Sequence, residues 1–224
     1  MSSKLYLIPT PIGNLEDITL RALRILKEVD LILAEDTRKS GILLKHYGVT
    51  THAEAFHKFN EHQRLNHYLS LLEQGRNIAL ISDGGTPSIS DPGFLIVRAC
   101  IEKEIDVECL PGATALIPAL VSSGFPSERF VFEGFFPQKK GRNKRLESLK
   151  QEERTIIFYE SPFRLIKTLT ELAQYFSPFN QVCVARELTK IHEENRIGTL
   201  EEMISYFTQH SPKGEIVIIF NPKL

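Results

Sequence analysis

Three short stretches set carboxylates where apolar, strand-like runs give out. AEDTR (34–38) follows DLIL with Glu35 and Asp36, then Arg38. YES (159–161), with Glu160, and ARELTK (185–190) repeat the pattern later in the chain. A carboxylate in a loop at a strand end can serve as a general base. The same residues can equally form a helix N-cap at Asp36 or Thr37 with a local ion pair, and local sequence weights the two roles evenly.

Three other stretches carry glycine, proline and threonine in place of charge. They are IPTPIGNLED (8–17), ISDGGTPSISDPG (81–93) and LPGATA (110–115). Glycine lets a backbone approach a ligand without a Cβ in the way, and proline holds a loop in one shape, so less ordering entropy is lost on binding. One such loop is an ordinary strand-to-helix turn; three of them point to a binding edge. None has the spacing of a phosphate cradle, GxxxxGK[ST] or GxGxxG, so a neutral nucleoside-type cofactor held by backbone groups fits better than a nucleoside triphosphate or dinucleotide.

KKGRNKR (139–145) concentrates five basic residues in seven, directly after the aromatic FVFEGFFP. Such a patch attracts phosphate backbones, and neighbouring phenylalanines can stack bases. Gly141 and Asn143 suggest a flexible loop. His52, His57, His62 and His67 recur at a spacing that fits no one-face metal motif, and the three cysteines lie far apart in apolar surroundings, so no metal site is expected.

These stretches need elements to hold them. In the first half, KLYLI, DLILAED, NIALISD and DVECLPG read as strands. Between them, helical spacing predicts one helix over LEDITLRALRILKEVD and others over SGILLKHYG, EHQRLNHYLSLLEQG and GFLIVRACIEKEI. Strands alternating with helices predict a parallel sheet whose carboxyl edge carries the three loops. After SSGFPSERF the pattern changes. FVFEGFF, RTIIFYES, QVCVARELT and EIVIIF are strand-like, and RLIKTLTELAQYF and LEEMISYFTQH are helical, which predicts a second, α+β domain. The expected domains are 1–117 and 118–224.

The 224 residues, 42% apolar, suffice for a real core, and 27 basic against 28 acidic residues demand no polyanionic or membrane partner overall. No apolar run approaches transmembrane length, and the N-terminus lacks a secretory core, so a cytoplasmic location is expected.

LYLIPTPIGNLEDITLRALRILKEVDLILAEDTRKSG, SDGGTPSISDPG, LPGATA, SSGFPSERFVFEGFFPQKKG, IIFYESPFRL, ARELTKIHEE and KGEIVII, in that order, closely resemble the ribosomal RNA small subunit methyltransferase I family. That family is a branch of the tetrapyrrole methylase fold. The likeness runs from Leu5 to about Phe220, with Gly84, Ala113 and Lys39 standing where relatives commonly have alanine, proline and histidine. Many relatives continue into a small C-terminal helical extension expected to help grip RNA.

The resemblance implies a two-domain α/β fold, a parallel N-terminal domain plus a mixed-sheet C-terminal domain, with a cofactor cleft between them. It implies a homodimer that uses S-adenosylmethionine to methylate the 2′-hydroxyl of a cytidine in the decoding region of 16S ribosomal RNA within the 30S subunit. By motif, the cofactor contacts would be Pro9, Pro11 and Gly13; Asp83, Gly85, Thr86 and Ile89; Thr114 and Ala115; and, from the second domain, Tyr159, Leu188 and Gly214. Arg38, Lys139, Lys140, Arg142, Lys144 and Arg145 would face RNA. A ribose hydroxyl is a weak nucleophile, so a base should help remove its proton, with Asp36 the first candidate and Glu35 and Glu160 behind it. The competing readings are a tetrapyrrole C-methyltransferase of the same fold and a non-catalytic RNA- or nucleotide-binding module.

Overall fold

The computed structural model describes residues 3–223. Two compact units divide the chain between Thr114 and Ala115.

In the first unit five strands, β1 (Lys4–Leu7), β2 (Leu31–Ala34), β3 (Ala53–Ala55), β4 (Ile78–Ile81) and β5 (Asp106–Cys109), form an all-parallel sheet in the order β3-β2-β4-β1-β5. Four helices cover it: α1 (Leu20–Glu28), α2 (Thr37–His46), α3 (Glu61–Glu73) and α4 (Phe94–Glu102). Successive strand residues point to opposite faces, so uninterrupted apolar runs such as LILA and IALI mean a sheet buried on both sides. Ile32, Ala34, Ala79 and Ile81 pack with Ala22, Ile25 and Leu26 of α1 and Leu43 and Leu44 of α2. Leu31, Leu33, Ile78 and Leu80 pack with Tyr68, Leu69 and Leu72 of α3 and Ile96 and Cys100 of α4.

The long helix expected from Leu15 is divided. A 3-10 turn, Leu15–Asp17, is capped by Asn14, and α1 begins after Thr19, whose side chain accepts from the Ala22 amide at 3.0 Å. Two local caps outbid the continuous apolar spacing, because each satisfies a backbone donor that one helix would have used internally. Strand β3 was not anticipated; three residues on a sheet edge are too few to show a period.

The second unit contains α5 (Leu116–Ser123), β6 (Phe130–Phe135), α6 (Arg142–Leu149), β7 (Thr155–Glu160), α7 (Leu165–Tyr175), β8 (Gln181–Arg186), β9 (Glu194–Thr199), α8 (Leu200–Gln209) and β10 (Ile216–Phe220). The sheet order is β6-β7-β10-β8-β9; β6 and β7 are parallel and the other pairs antiparallel. Ile156, Phe158, Val182, Val184, Ile218 and Phe220 form a core with Leu165, Leu169 and Leu172 of α7 and Leu200, Met203 and Phe207 of α8. Helix α8 starts with a full capping box between Thr199 and Glu202.

Helix α5 lies near β8, β9 and β10 and so belongs wholly to the second unit, whereas the sequence reading placed the division at residue 117 inside it. The basic run is not a loop: from Arg142 it is helix α6, with Gly141 before it at φ 87°. Strand β9, ENRIGT, is polar and pairs only with β8, which explains why no apolar alternation marked it.

Candidate functional site

Because the first sheet is all parallel, the loops after its strands emerge at one edge. The structure brings the three Gly/Pro loops together there. Thr10 and Gly85 exchange backbone hydrogen bonds, Thr10 N donating to Gly85 O at 3.0 Å and Gly85 N to Thr10 O at 2.7 Å. The Thr10 hydroxyl donates to Ser82 O at 3.0 Å. Thr86 donates to Ala113 O at 3.1 Å, tying the loop after β4 to the loop after β5. Gly85 sits at φ 88°, in the left-handed region that disfavours side chains, and a Cβ on Gly112 would lie 2.8 Å from Pro9 Cβ.

The result is one rim of backbone and small side chains at the ends of β1, β4 and β5. Residues 8–14 and 110–115 contain no charged side chain, which suits a nucleoside ligand lacking phosphates. Beside this rim, a cavity of about 160 Å³ is lined by Thr10, Pro11, Leu15 and Ile42, with Lys39 and Asp83 at its polar side. Of the expected contacts in this unit, Pro9 and Gly85 are buried, Pro11, Thr86 and Thr114 half-buried, and Gly13, Asp83 and Ile89 exposed. Ala115 is the N-cap of α5, at the start of the second unit.

The carboxylates turn out differently from their order of expectation. Asp36 caps α2: its Oδ1 accepts from the Arg38 amide at 2.9 Å and from Arg38 Nε at 3.0 Å, and its Oδ2 accepts from Arg38 Nη2 at 2.7 Å. The Arg38 side chain and the helix amides hold this carboxyl well below the usual carboxylate range. A carboxylate so stabilised is a poor proton acceptor, so Asp36 is a capping residue and no longer the first choice for the base.

Glu160 is also committed elsewhere. Its side chain is 1% exposed and accepts from the Ser161 amide at 2.7 Å, Arg164 Nε at 2.8 Å and the Thr168 hydroxyl at 2.6 Å, closing the first turn of α7. Its bonds are structural and leave no face for a substrate. Glu35 remains open to the edge, half-buried, with Oε2 3.5 Å from the Asp83 amide.

Asp91 is the carboxyl the sequence reading passed over. It lies half-buried in the long loop after β4, with Glu35, Lys58 and Asp83 near enough to act on its charge. Burial, then Glu35, and to a lesser degree Asp83 push it up to about 7, against the opposing pull of Lys58 and Ser82. Its DPG setting was legible as a turn; its surroundings depend on β2 and β3, far away in sequence.

In the second unit, Tyr159, Leu188 and Gly214 gather at one end of the sheet, because Glu160 and Arg186 both stand opposite Ile216 across β10. Tyr159 packs edge-on against Phe132 at 4.9 Å and Phe135 at 5.7 Å. Leu188 is buried between Glu187 and Thr189, two non-glycine residues with left-handed φ of 52° and 67°. Gly214, at φ 84°, leaves room for the Glu187 side chain, whose Oε1 accepts from the Glu215 amide at 2.9 Å and from Lys190 Nζ at 2.8 Å.

Of the basic residues expected to meet RNA, Arg142 is corrected: it is 3% exposed and faces inward. It donates to Glu171 at 2.6 Å, to Thr168 at 2.8 Å and to Pro137 O at 3.1 Å, with its guanidinium 5.2 Å from the centre of the Phe136 ring. Arg145 forks onto Glu133, with Nε to Oε2 at 2.6 Å. Lys139, Lys140 and Lys144 are exposed, as is Arg38 despite its hold on Asp36. Among the described residues no group of histidine, cysteine and carboxylate side chains could hold a metal, and no helix is long and apolar enough to cross a membrane.

Comparison with known proteins agrees with this architecture. The family model for Tetrapyrrole (Corrin/Porphyrin) Methylases matches residues 4–204. A Ribosomal RNA small subunit methyltransferase I of Synechocystis sp. is 54% identical over 96% of this chain and 77% of its own length. The protein of the same name from Thermotoga maritima is 46% identical over 98% of this chain and 99% of its own. Among solved structures, uroporphyrin-III C-methyl transferase of Thermus thermophilus, complexed with S-adenyl homocysteine, superposes with a TM-score of 0.68 at 19% identity, covering 97% of each chain. The chain therefore belongs to the tetrapyrrole methylase family, within the group of ribosomal RNA small subunit methyltransferase I proteins.

Proposed function

We propose that this protein is an S-adenosylmethionine-dependent methyltransferase that modifies the 2′-hydroxyl of a cytidine in the decoding region of 16S ribosomal RNA, on the 30S subunit. The observation that carries the reading is the rim built by the Thr10–Gly85 backbone pair and the Thr86–Ala113 hydrogen bond. It offers backbone groups and hydroxyls without phosphate-binding cations, as a nucleoside sulfonium requires. When bound, the cofactor supplies an electrophilic methyl group. The chain's own part is to hold the donor at the rim, by way of Pro9, Pro11, Gly13, Asp83, Gly85, Thr86, Ile89 and Thr114, and to present the acceptor oxygen in line with it. Tyr159, Leu188 and Gly214 complete the proposed cofactor set. Its relatives' names supply the ribosomal substrate, and the exposure of Lys139, Lys140 and Lys144 supports their part in meeting phosphates.

The deciding experiment offers the protein labelled S-adenosylmethionine with naked 16S RNA, unmodified 30S subunits or tetrapyrrole precursors. Label on a cytidine ribose of the subunit is expected. Label on a tetrapyrrole, or none on RNA, would overturn the reading. A cytoplasmic homodimer belongs to the same proposal, since ribosomal subunits are cytoplasmic and a symmetric pair presents two basic surfaces to one large RNA. Light scattering should return the mass of two chains; a single-chain mass at micromolar concentration refutes the dimer.

A further inference from the structure

The cavity of about 160 Å³ between the start of α2 and the loops after β1 and β4 shares Thr10, Pro11, Ser82 and Asp83 with the loops of the rim. We propose that this cavity takes the base of the acceptor nucleotide and selects a cytosine, with Asp83 and Lys39 as the residues that determine the choice. The assignment rests on the ribose methylation proposed above, and it sets Asp83 at the boundary between donor and acceptor.

The walls of the cavity and its edge differ in chemistry. Pro11, Leu15, Ile42 and Leu43 are apolar, and Ile42 is left 68% exposed on α2. Leu15 is held from behind, its carbonyl accepting from the Tyr47 hydroxyl at 2.8 Å. The hydroxyls of Thr10, Ser82 and Ser40 each donate to a backbone carbonyl, of Ser82, Gly85 and Asp36 respectively. Recognition of an occupant therefore falls to Lys39 and Asp83, which meet with Lys39 Nζ donating to Asp83 Oδ2 at 2.7 Å. The Asp36 amide donates to Asp83 Oδ1 at 3.1 Å, and Asp36 is itself bound by Arg38, so the start of α2 fixes the Asp83 carboxylate in place.

Apolar walls with one hydrogen-bonding edge suit an unstacked base, which is held between apolar side chains and read along its Watson–Crick edge. The volume is well above the ~10–15 Å³ that one water needs and below the ~300–1,000 Å³ of drug-sized sites, a size for a single ring. On that edge of cytosine the N4 amino donor stands next to the N3 acceptor. Asp83, with acceptor sites beyond the two already used, takes the N4 proton in a hydrogen bond, and Lys39 donates to N3. Uracil reverses both groups and turns a carbonyl toward the carboxylate. Adenine has the order of cytosine but a second ring, and an RNA phosphate would be opposed by Asp83. A base seated here keeps its ribose next to the loop after β1, which also builds the rim where the methyl donor is proposed to lie.

The test uses the full chain in single-turnover methylation of 30S subunits reconstituted with 16S RNA that carries either the target cytidine or a uridine in its place. The wild type should act on the uridine subunit at least about tenfold more slowly. Asp83→Asn keeps the shape and offers an amide that can also donate, so it should shrink this ratio, in which any loss of cofactor affinity cancels, to about twofold or less. Lys39→Met should slow the cytidine reaction at limiting subunit by about tenfold, with S-adenosylmethionine affinity by calorimetry changed less than about twofold. Methyl NMR of the wild-type chain gives a readout that needs no variant to fold: added cytidine should shift the Ile42 and Leu43 methyls more than added uridine does. Equal wild-type rates on both subunits, unshifted methyls, or a Lys39→Met protein that loses the cofactor instead would overturn the assignment alone, the last by giving the cavity to the methionine tail of the donor. A wild-type protein that leaves cytidine subunits unlabelled overturns the methylation reading and the assignment with it.

Discussion

Gly85 shows how much of the candidate site rests on single backbone angles. Its φ of 88° allows the paired hydrogen bonds with Thr10, and its nearest side-chain neighbour would be Ile12, 3.5 Å from an added Cβ. Space is therefore adequate and conformation is not: a β-branched residue in the left-handed region costs about 1–2 kcal/mol, and the loop will move to avoid it. Gly85→Val should lower stability by about that amount and weaken S-adenosylmethionine binding by about tenfold. Calorimetry showing unchanged affinity would remove this loop from the cofactor site.

At the scale of elements, α6 and α7 are joined by a buried polar chain. Glu160 accepts from Thr168, Thr168 from Arg142, and Arg142 also donates to Glu171. Removing one member strands a buried charge. Arg142→Ala should cost about 3–5 kcal/mol, read as a large fall in denaturant midpoint. Changing Lys139, Lys140 and Lys144 together to alanine should leave folding unchanged, since all three point to solvent. That triple variant should weaken 30S binding and reduce its salt slope by up to about three units. Normal binding at every salt concentration would place the RNA path elsewhere.

Over the whole molecule, the titrating groups pull stability in two directions. Arg38 holds Asp36 down, and Arg154 holds Glu152 to about 2, so their stabilisation is present above the ordinary carboxyl values of 3.8 and 4.5 and is lost as the pH falls below them. Asp91 is the opposite case. Its folded value is raised to about 7, so the fold binds a proton that the unfolded chain releases, and that contribution is lost as the pH rises through 7. Melting temperature should therefore peak in mildly acidic solution, and Asp91→Asn should flatten the alkaline side of the curve while leaving the acid side as it was. An unchanged alkaline side in the variant would contradict the raised value.

Much of this architecture is written in periodicity. The parallel sheet follows from LILA and IALI, runs that must be buried on both faces, and the binding edge follows from three Gly/Pro loops that each leave a strand of this sheet. These are local properties, carried by a dozen neighbouring residues. The roles of charged side chains are another matter, because they depend on partners distant in sequence. KKGRNKR reads as a flexible basic loop that meets phosphates, yet Arg142 is drawn inward by Glu171 and Thr168 while the lysines beside it stay outside. AEDTR allows a cap or a base with equal ease, and the start of α2 takes Asp36 as its cap. Asp91 sits in plain view within ISDPG. Its raised proton affinity arises only when the fold buries it and brings Glu35 from the end of β2 near it, since a carboxyl's charge is set by burial and by every charge within a few ångströms, whichever part of the chain supplies them.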